Sequence, residues 1–249
     1  STHSVSKITE DRYYKRVALN EKNEVKALQP TAEGYLYCMD HMLAGSEDSR
    51  FEGHNLIFQD EIFNNAINRM KRMYNSAISE NAEYSYRDET HLFNEGKLAI
   101  YINGVWGAPM ISKQIDAKYA LLPTDGGESM SCISSGLGYV LGNSGNEEKE
   151  KAAVKFLKYM LSKKVQTKIL EKTEQIPANP DISLESYKES KSRLYQAATL
   201  VLEADEKIEV PNNIWSAEQK DYFIKTIFDV LTGTLSIQEF EENLENKQK

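Results

Sequence analysis

The run from Phe93 to Trp106, Phe-Asn-Glu-Gly-Lys-Leu-Ala-Ile-Tyr-Ile-Asn-Gly-Val-Trp, constrains the fold more than any other stretch. From Lys97 to Asn103 it is rich in residues that suit a pleated, half-buried surface, which predicts a strand. Gly96 separates that strand from a short helical pattern over Asp88 to Phe93, where a left-handed helix stop is expected. Gly104 and Gly107 bracket Trp106, so the backbone can turn sharply and carry the large ring out of the sheet. Such a ring either caps a core or faces a cleft, and the local pattern leaves both readings open.

The rest of the chain supplies helices around this unit. Ile62, Phe63, Ala66, Ile67, Met70, Met73, Tyr74 and Ala77 recur at three-and-four spacing and predict a helix over 60–79, with its methionines and aromatics as core filler. Upstream, residues 1–27 are polar apart from a cluster at Tyr13, Tyr14, Val17 and Leu19, which suggests a short helix. Pro30 and Gly34 then break the periodicity and predict a loop displaying Glu33, Tyr35 and Tyr37. Gly45 to Gly53 reads as a polar loop. Downstream, Tyr119 to Leu122 is an apolar run stopped by Pro123, Asp125 to Glu128 is a turn, and Ser134 to Gly142 reads as a further strand.

An amphipathic helix is expected from Asn146 to Leu161, with Ala153, Phe156, Leu157 and Met160 on one face, and a shorter one from Val165 to Leu170. Ile176 to Pro180 is an irregular connector, and residues 184–204 form another helix. Trp215 looks exposed just before a helix that a Ser216/Gln219 capping box starts and Gly233 stops; Ser236 with Glu239 caps the last helix. Several helices alternating with a few short strands make an α/β architecture.

A net charge of −8 and pI ≈ 5.2 argue against a nucleic-acid surface. No apolar run reaches the roughly 18 residues that would span a membrane. Cys38 and Cys132 match no zinc spacing, and stand as two buried free thiols or as one disulfide. His3, His41, His54 and His91 are scattered, with no metal motif. The glycines of Gly136-Leu-Gly138 do not complete a dinucleotide fingerprint, and there is no P-loop or GxSxG elbow. No cofactor and no enzymatic activity are therefore expected, and a hydrolase acting through an acid such as Glu33 is the remote alternative.

What stands out is a set of aromatics at breaks between elements: Tyr35, Tyr37, Trp106 and Trp215. A ring face burying on the order of 100 Å² against a ligand gains roughly 2 kcal/mol, so a few rings go far toward the about −8 kcal/mol of a micromolar site. Sugars present such faces between hydroxyls, for which Glu33, Asp40, Asn103 and Asn213 offer acceptors and donors.

Phe93 to Trp106 resembles the "F-x-x-G-x-x-A-M-x-I-N-G-x-W" signature of the maltose-binding-protein-like solute-binding proteins of bacterial ABC importers. Tyr119 to Pro123, Gly136 to Val140, the helix pair over Lys151 to Gln166 and Leu231 to Ser236 are similar to later family segments in the same order. The resemblance runs from about Leu28 to the C-terminus. It implies a periplasmic-binding-protein-like α/β fold (type II) of two lobes closing on a solute, with Trp106 stacking on the ligand.

Glu33-Gly-Tyr35 resembles the family's Glu-Pro-Tyr, whose acid and ring line the site in maltose binders. Trp215 precedes the helix in which the family's second stacking tryptophan lies. By resemblance, residues 1–136 and 190–249 would build the C-terminal lobe and 137–189 would return to the N-terminal lobe, most of which has no counterpart here, as in a fragment. The implied role is non-catalytic binding of a carbohydrate, an oligosaccharide in the first instance, delivered to membrane permease subunits. The complete protein would be a monomer at the extracellular face, lipid-anchored, or in the periplasm. The alternative is a surface interaction or sensory module that keeps the fold without transport.

Overall fold

The computed structural model describes residues 26–28, 30–45, 58, 61–77, 85–124, 129–133 and 138–247. The expected features at residues 1–25, 46–53, 125–128 and 134–137 lie outside them. Strand β1 (Lys26–Leu28) leads into helix α1 (Ala32–Ala44). Thr31 starts that helix, its hydroxyl accepting the Gly34 N–H at 3.1 Å. The loop expected over Gln29 to Tyr37 is thus a helix start: Pro30 stands just before the cap and Gly34 in the first turn, so the residues that interrupt periodicity mark a boundary. Glu33, Tyr35, Tyr37 and Asp40 are all helical.

Helix α2 (Glu61–Ala77) matches its periodicity closely. Helix α3 (Tyr86–Asn94) begins at a Ser85/Asp88 capping box, and Gly96 takes the left-handed conformation (φ 71°) before strand β2 (Leu98–Ile100). β2 pairs in parallel with β1, Lys26 opposite Leu98 and Leu28 opposite Ile100. The strand expected over Lys97 to Asn103 therefore forms a ladder over three residues only, because its partner is equally short.

A second parallel pair joins β3 (Met130–Ile133) to β4 (Glu206–Glu209), with Met130 opposite Glu206 and Ile133 opposite Glu209. Neither Tyr119 to Leu122 nor the described part of Ser134 to Gly142 enters a ladder. The four residues of β4 are all taken by β3, and residues 138–142 are left exposed.

Helices α4 (Glu147–Met160) and α5 (Lys163–Thr173) pack on each other. The expected helix over 184–204 splits into a 3-10 turn (Leu184–Tyr187) and α6 (Ser192–Glu203). Helix α7 (Ala217–Thr232) opens on the Ser216/Gln219 capping box and ends at Gly233 (φ 83°); α8 (Ile237–Asn246) opens on Ser236/Glu239.

The main core lies among α1, α2, α7 and α8. Tyr35 and Met39 meet Phe63, Ile67 and Met70, with Phe223, Ile227, Phe240 and Leu244 closing the cluster. Each of these side chains, fully removed from water, contributes about 1.5–3 kcal/mol. By contrast no residue of α4 is buried, and Phe156, Tyr159 and Val140 face solvent. Of the apolar face read in the sequence, Ala153, Leu157 and Met160 are partly covered, with α5 packing on the helix, and Phe156 is left exposed.

Candidate functional site

Trp106 sits in a 3-10 turn, Val105–Met110, that follows β2 directly. The turn is anchored at both ends. Asn94, at the end of α3, donates its amide to the Met110 carbonyl (2.9 Å) and accepts the Ser112 N–H (2.7 Å). Arg193 of α6 donates to the carbonyls of Ser112 and Ile115, both at 2.7 Å. The Trp106 ring folds back over its own backbone: a Cβ on Gly104 would lie 2.2 Å from the ring, and one on Gly107 would lie 2.5 Å from the Asn103 amide nitrogen. Only glycine permits both approaches, and the ring is held there 54% exposed.

Around it a polar network fixes the neighbours. Asn103 accepts the Gly104 N–H through Oδ1 (2.8 Å), and its amide donates to the hydroxyls of Tyr86 (2.7 Å) and Tyr101. Thr90 shares a 2.8 Å hydrogen bond with the Tyr101 hydroxyl, and Phe93 stacks on the Tyr101 ring, centroids 5.4 Å apart. From α1, Tyr37 meets Trp106 edge-on at 5.7 Å and 74°. Burial first, and then Tyr86 and Glu33, push the Tyr37 hydroxyl above its ordinary pKa. Glu33, half-buried, lines an adjoining cavity of about 690 Å³ together with Tyr86, Arg87, Lys225 and Phe228.

Glu89 lies within this group. It is buried, and its Oε1 has no hydrogen-bond partner. Burial, reinforced by Glu33 and opposed by a hydrogen bond from the Thr31 N–H, pushes its carboxyl up to about 8. At neutral pH it keeps its proton.

The remaining residues expected at a site are elsewhere. Tyr35 is fully buried, edge-on to Phe228 at 5.8 Å, and presents no face to a ligand. Trp215, expected to be exposed, is 5% accessible and packs against Phe58 (5.3 Å) and Phe223 (5.7 Å). The cause lies in Asp40, which accepts the Asn212 N–H (2.8 Å) and the Asn212 side-chain amide, drawing the 3-10 turn Pro211–Ile214 onto α1 and Trp215 into the core behind it. Burial raises Asp40 to about 6 despite those two bonds. Asn213 is exposed and donates to Glu209 at 2.8 Å.

Sequence reasoning missed Tyr86, Glu89, Thr90 and Tyr101. The signal was present: Tyr86, Glu89, Thr90 and Phe93 fall at i, i+3, i+4 and i+7, one face of α3, while Tyr101 and Asn103 share a side of the extended segment.

Both cysteines are free; Cys38 is buried, Cys132 partly so, and burial pushes each thiol up to about 12. His41 is buried with its pKa lowered by desolvation, and His91 pairs with Glu95 on the surface at 3.0 Å. Among the described residues no cluster of three His, Cys, Asp or Glu could hold a metal ion. The site offers an aromatic face with hydroxyls, an amide and the partly exposed Glu33 carboxyl nearby, suited to stacking on a ring and hydrogen-bonding its substituents.

Residues 20–198 match the family model described as bacterial extracellular solute-binding protein. No curated protein gives a significant sequence match. Among solved structures, a Streptococcus pneumoniae solute-binding protein in complex with the blood group A-trisaccharide superposes with a TM-score of 0.80 at 22% identity, over 96% of this chain and 62% of its own. A structure reported with xylan utilization by Caldanaerobius polysaccharolyticus gives 0.68 at 15% identity, over 96% and 65%. An ABC transporter solute-binding protein from Thermotoga lettingae bound with α-D-tagatose gives 0.64 at 20% identity, over 96% and 64%. The chain thus spans somewhat under two thirds of the length of these structures, and shares their periplasmic-binding-protein-like fold.

Proposed function

Since the chain belongs to the bacterial extracellular solute-binding proteins, we propose that it binds a carbohydrate, specifically an oligosaccharide, without turnover and delivers it to the permease of an ABC importer. The observation that carries this reading is Trp106, an exposed ring held over a glycine by a hydrogen-bonded frame. A surface tryptophan free to collapse would gain by burying itself; one braced open has its face reserved for something else. Tyr37 supports the ring from the edge, while Asn103, Tyr86, Tyr101 and Glu33 supply donors and acceptors for hydroxyls. That two structural relatives carry a sugar ligand agrees with the choice of solute.

On the same reading, residues 1–136 and 190–249 form one lobe and 137–189 belong to a second. The uncovered apolar side chains of α4 and its approach, Phe156, Tyr159 and Val140, favour this division, because a face of that character is normally buried. Trp106 then provides one wall of a cleft whose other wall comes from the second lobe, in a monomer at the outer face of the membrane, lipid-anchored or periplasmic. Titrating the intact protein with oligosaccharides while following tryptophan emission tests the proposal. Saturable quenching or enhancement is expected, and silence toward every sugar from a folded sample would refute it.

A further inference from the structure

The cavity beside the Trp106 cluster is walled by the first turns of α1 and α3 and by the middle of α7. Its volume, about 690 Å³, lies within the roughly 300–1,000 Å³ of small-molecule sites. Ile224 and Phe228 form its apolar part, and Glu33, Tyr86, Arg87 and Lys225 its polar part. The chain offers Arg87 no partner: it is exposed, and among the described residues its guanidinium has no hydrogen bond and no ion pair. It is the second residue of α3, where the helix dipole disfavours a cation. The neighbouring Asp88 acts on it through charge alone, because that carboxylate accepts the N–H and the hydroxyl of Ser85 at 3.1 and 2.6 Å. Lys225 pairs with Asp221 at 2.7 Å, but the two side chains are 69% and 61% exposed, so the pair is weak and open to exchange. Glu33, on the α1 wall, makes no ion pair with either cation. The cavity thus presents a carboxylate and a guanidinium held apart.

Cavity and platform adjoin. Tyr86 lines the cavity while its hydroxyl accepts the amide of Asn103, three residues before Trp106, at 2.7 Å. Glu33 stands one helical turn before Tyr37, whose ring meets Trp106 edge-on. We propose that this cavity is a second subsite, for a uronic acid unit of the oligosaccharide: Arg87 takes the ring carboxylate, Lys225 adds positive charge, and Glu33 accepts hydroxyls, while the next unit stacks on Trp106. This rests on the carbohydrate reading and names the class of sugar within it. Guanidinium and carboxylate are both planar and match in a two-bond fork, which a neutral hydroxymethyl group cannot supply. Glu33 in the same wall sets the limit, since its charge tolerates a monoanion paired with Arg87 and opposes a phosphate carrying nearly two charges.

The experiment is isothermal titration of the intact protein at pH 7 with galacturonic acid and glucuronic acid trisaccharides, and with the neutral trisaccharides made from each by reducing the carboxyl groups. At low salt the acidic form of the pair that binds should bind at least about tenfold tighter than its neutral form, and the ratio should shrink at about 0.5 M sodium chloride. In Arg87→Gln the ratio should fall to within about twofold of one. Circular dichroism checks that the variant folds, and the wild-type ratio with its salt dependence decides the matter if it does not. Equal or weaker binding of the acidic form, or an undiminished ratio in folded Arg87→Gln, overturns the inference and leaves the carbohydrate reading in place, as does binding of none but neutral sugars. Silence toward every sugar from a folded sample overturns both.

Discussion

Substituting Gly104 with alanine should remove the sugar platform and leave the fold standing. At φ −83° and ψ 176° Gly104 has a backbone conformation that alanine adopts without strain. The added methyl, however, would lie 2.2 Å from the Trp106 ring, where carbon atoms normally approach to about 3.5–4 Å. The backbone on either side is fixed, by Asn103 Oδ1 to the Gly104 N–H and by the Gly104 carbonyl to the Gly107 N–H at 2.9 Å, so the ring has to move. It then loses its edge contact with Tyr37, worth about 0.5–1.5 kcal/mol. Alanine returns about 0.4–1 kcal/mol by restricting the unfolded chain. The two nearly cancel, and the melting temperature should stay within a few degrees.

Ligand binding has no such compensation. Losing about 100 Å² of stacked ring face at about 25 cal/mol/Å² removes roughly 2.5 kcal/mol, which weakens affinity on the order of 50-fold. Calorimetry on the intact protein with its best oligosaccharide, beside thermal melts and Trp106→Ala as the limit, measures both quantities. The fluorescence is readable because Trp215 is sealed in the core and contributes a constant background. Wild-type affinity in the alanine variant would refute the platform, and a collapse of the melting temperature would show that Gly104 serves the fold instead.

Three further outcomes follow from the burial or exposure of single side chains. Glu89 has its folded-state pKa raised from 4.5 to about 8, so its contribution to stability is complete below about pH 4.5 and lost as pH rises through 8, on the order of 5 kcal/mol at most. Denaturant titrations at pH 6 and pH 9 should show the wild type weakening more than Glu89→Gln, in which Asp40 and Glu241, raised to about 6 and about 7, leave a smaller loss; equal losses in the two would contradict the burial argument. Asn212→Ala leaves Asp40 buried without either side-chain amide or a well-held turn, and should cost about 1–3 kcal/mol and shift Trp215 emission to the red. An unchanged spectrum would mean that Trp215 is seated by the core alone. Phe156→Ala should be within about 0.5 kcal/mol of neutral, because the ring is 55% exposed; a loss of about 3–5 kcal/mol in urea titration would show instead that this side chain is covered in solution.

What the sequence disclosed was decided within one turn of the chain. The Ser216/Gln219 and Ser236/Glu239 boxes, the stops at Gly96 and Gly233, and the spacing of Phe63, Ile67 and Met70 are local patterns, and each appears where it was expected. The start of α1 failed for a local reason too: proline before a cap and glycine in a first turn read like a loop unless Thr31 is weighed as the cap. The strands failed differently. β3 lies at Met130–Ile133 because β4 is the edge it meets, and β4 is more than 70 residues away, as the register of Met130 with Glu206 shows. The polar face of α3 is legible in spacing, but an amphipathic helix is recognised by its apolar residues, and this face carries a carboxyl and two hydroxyls.

The two tryptophans show where that boundary runs. Each follows an asparagine-bearing segment and stands in or directly after a short 3-10 turn, so the local sequence around Trp106 and Trp215 looks alike. Trp106 is placed by contacts with Gly104 and Tyr37 and by Asn103, whose own partners lie within 17 positions; apart from Tyr37 and the Arg193 anchor at the end of the turn, the frame is written around the ring. Trp215 is placed by Asp40, 172 positions upstream of Asn212, and by Phe58 and Phe223. A ring braced mainly by its own neighbourhood can be held open to solvent, since its remote contacts, Tyr37 at its edge and Arg193 at the end of the turn, do not close over its face. A ring whose position depends on remote segments, here those of Asp40 and Phe58, is drawn in among them. The tryptophan proposed here as the platform is the legible one for that reason: a binding platform has to exist before the ligand arrives, and local bracing is the economical way to build it.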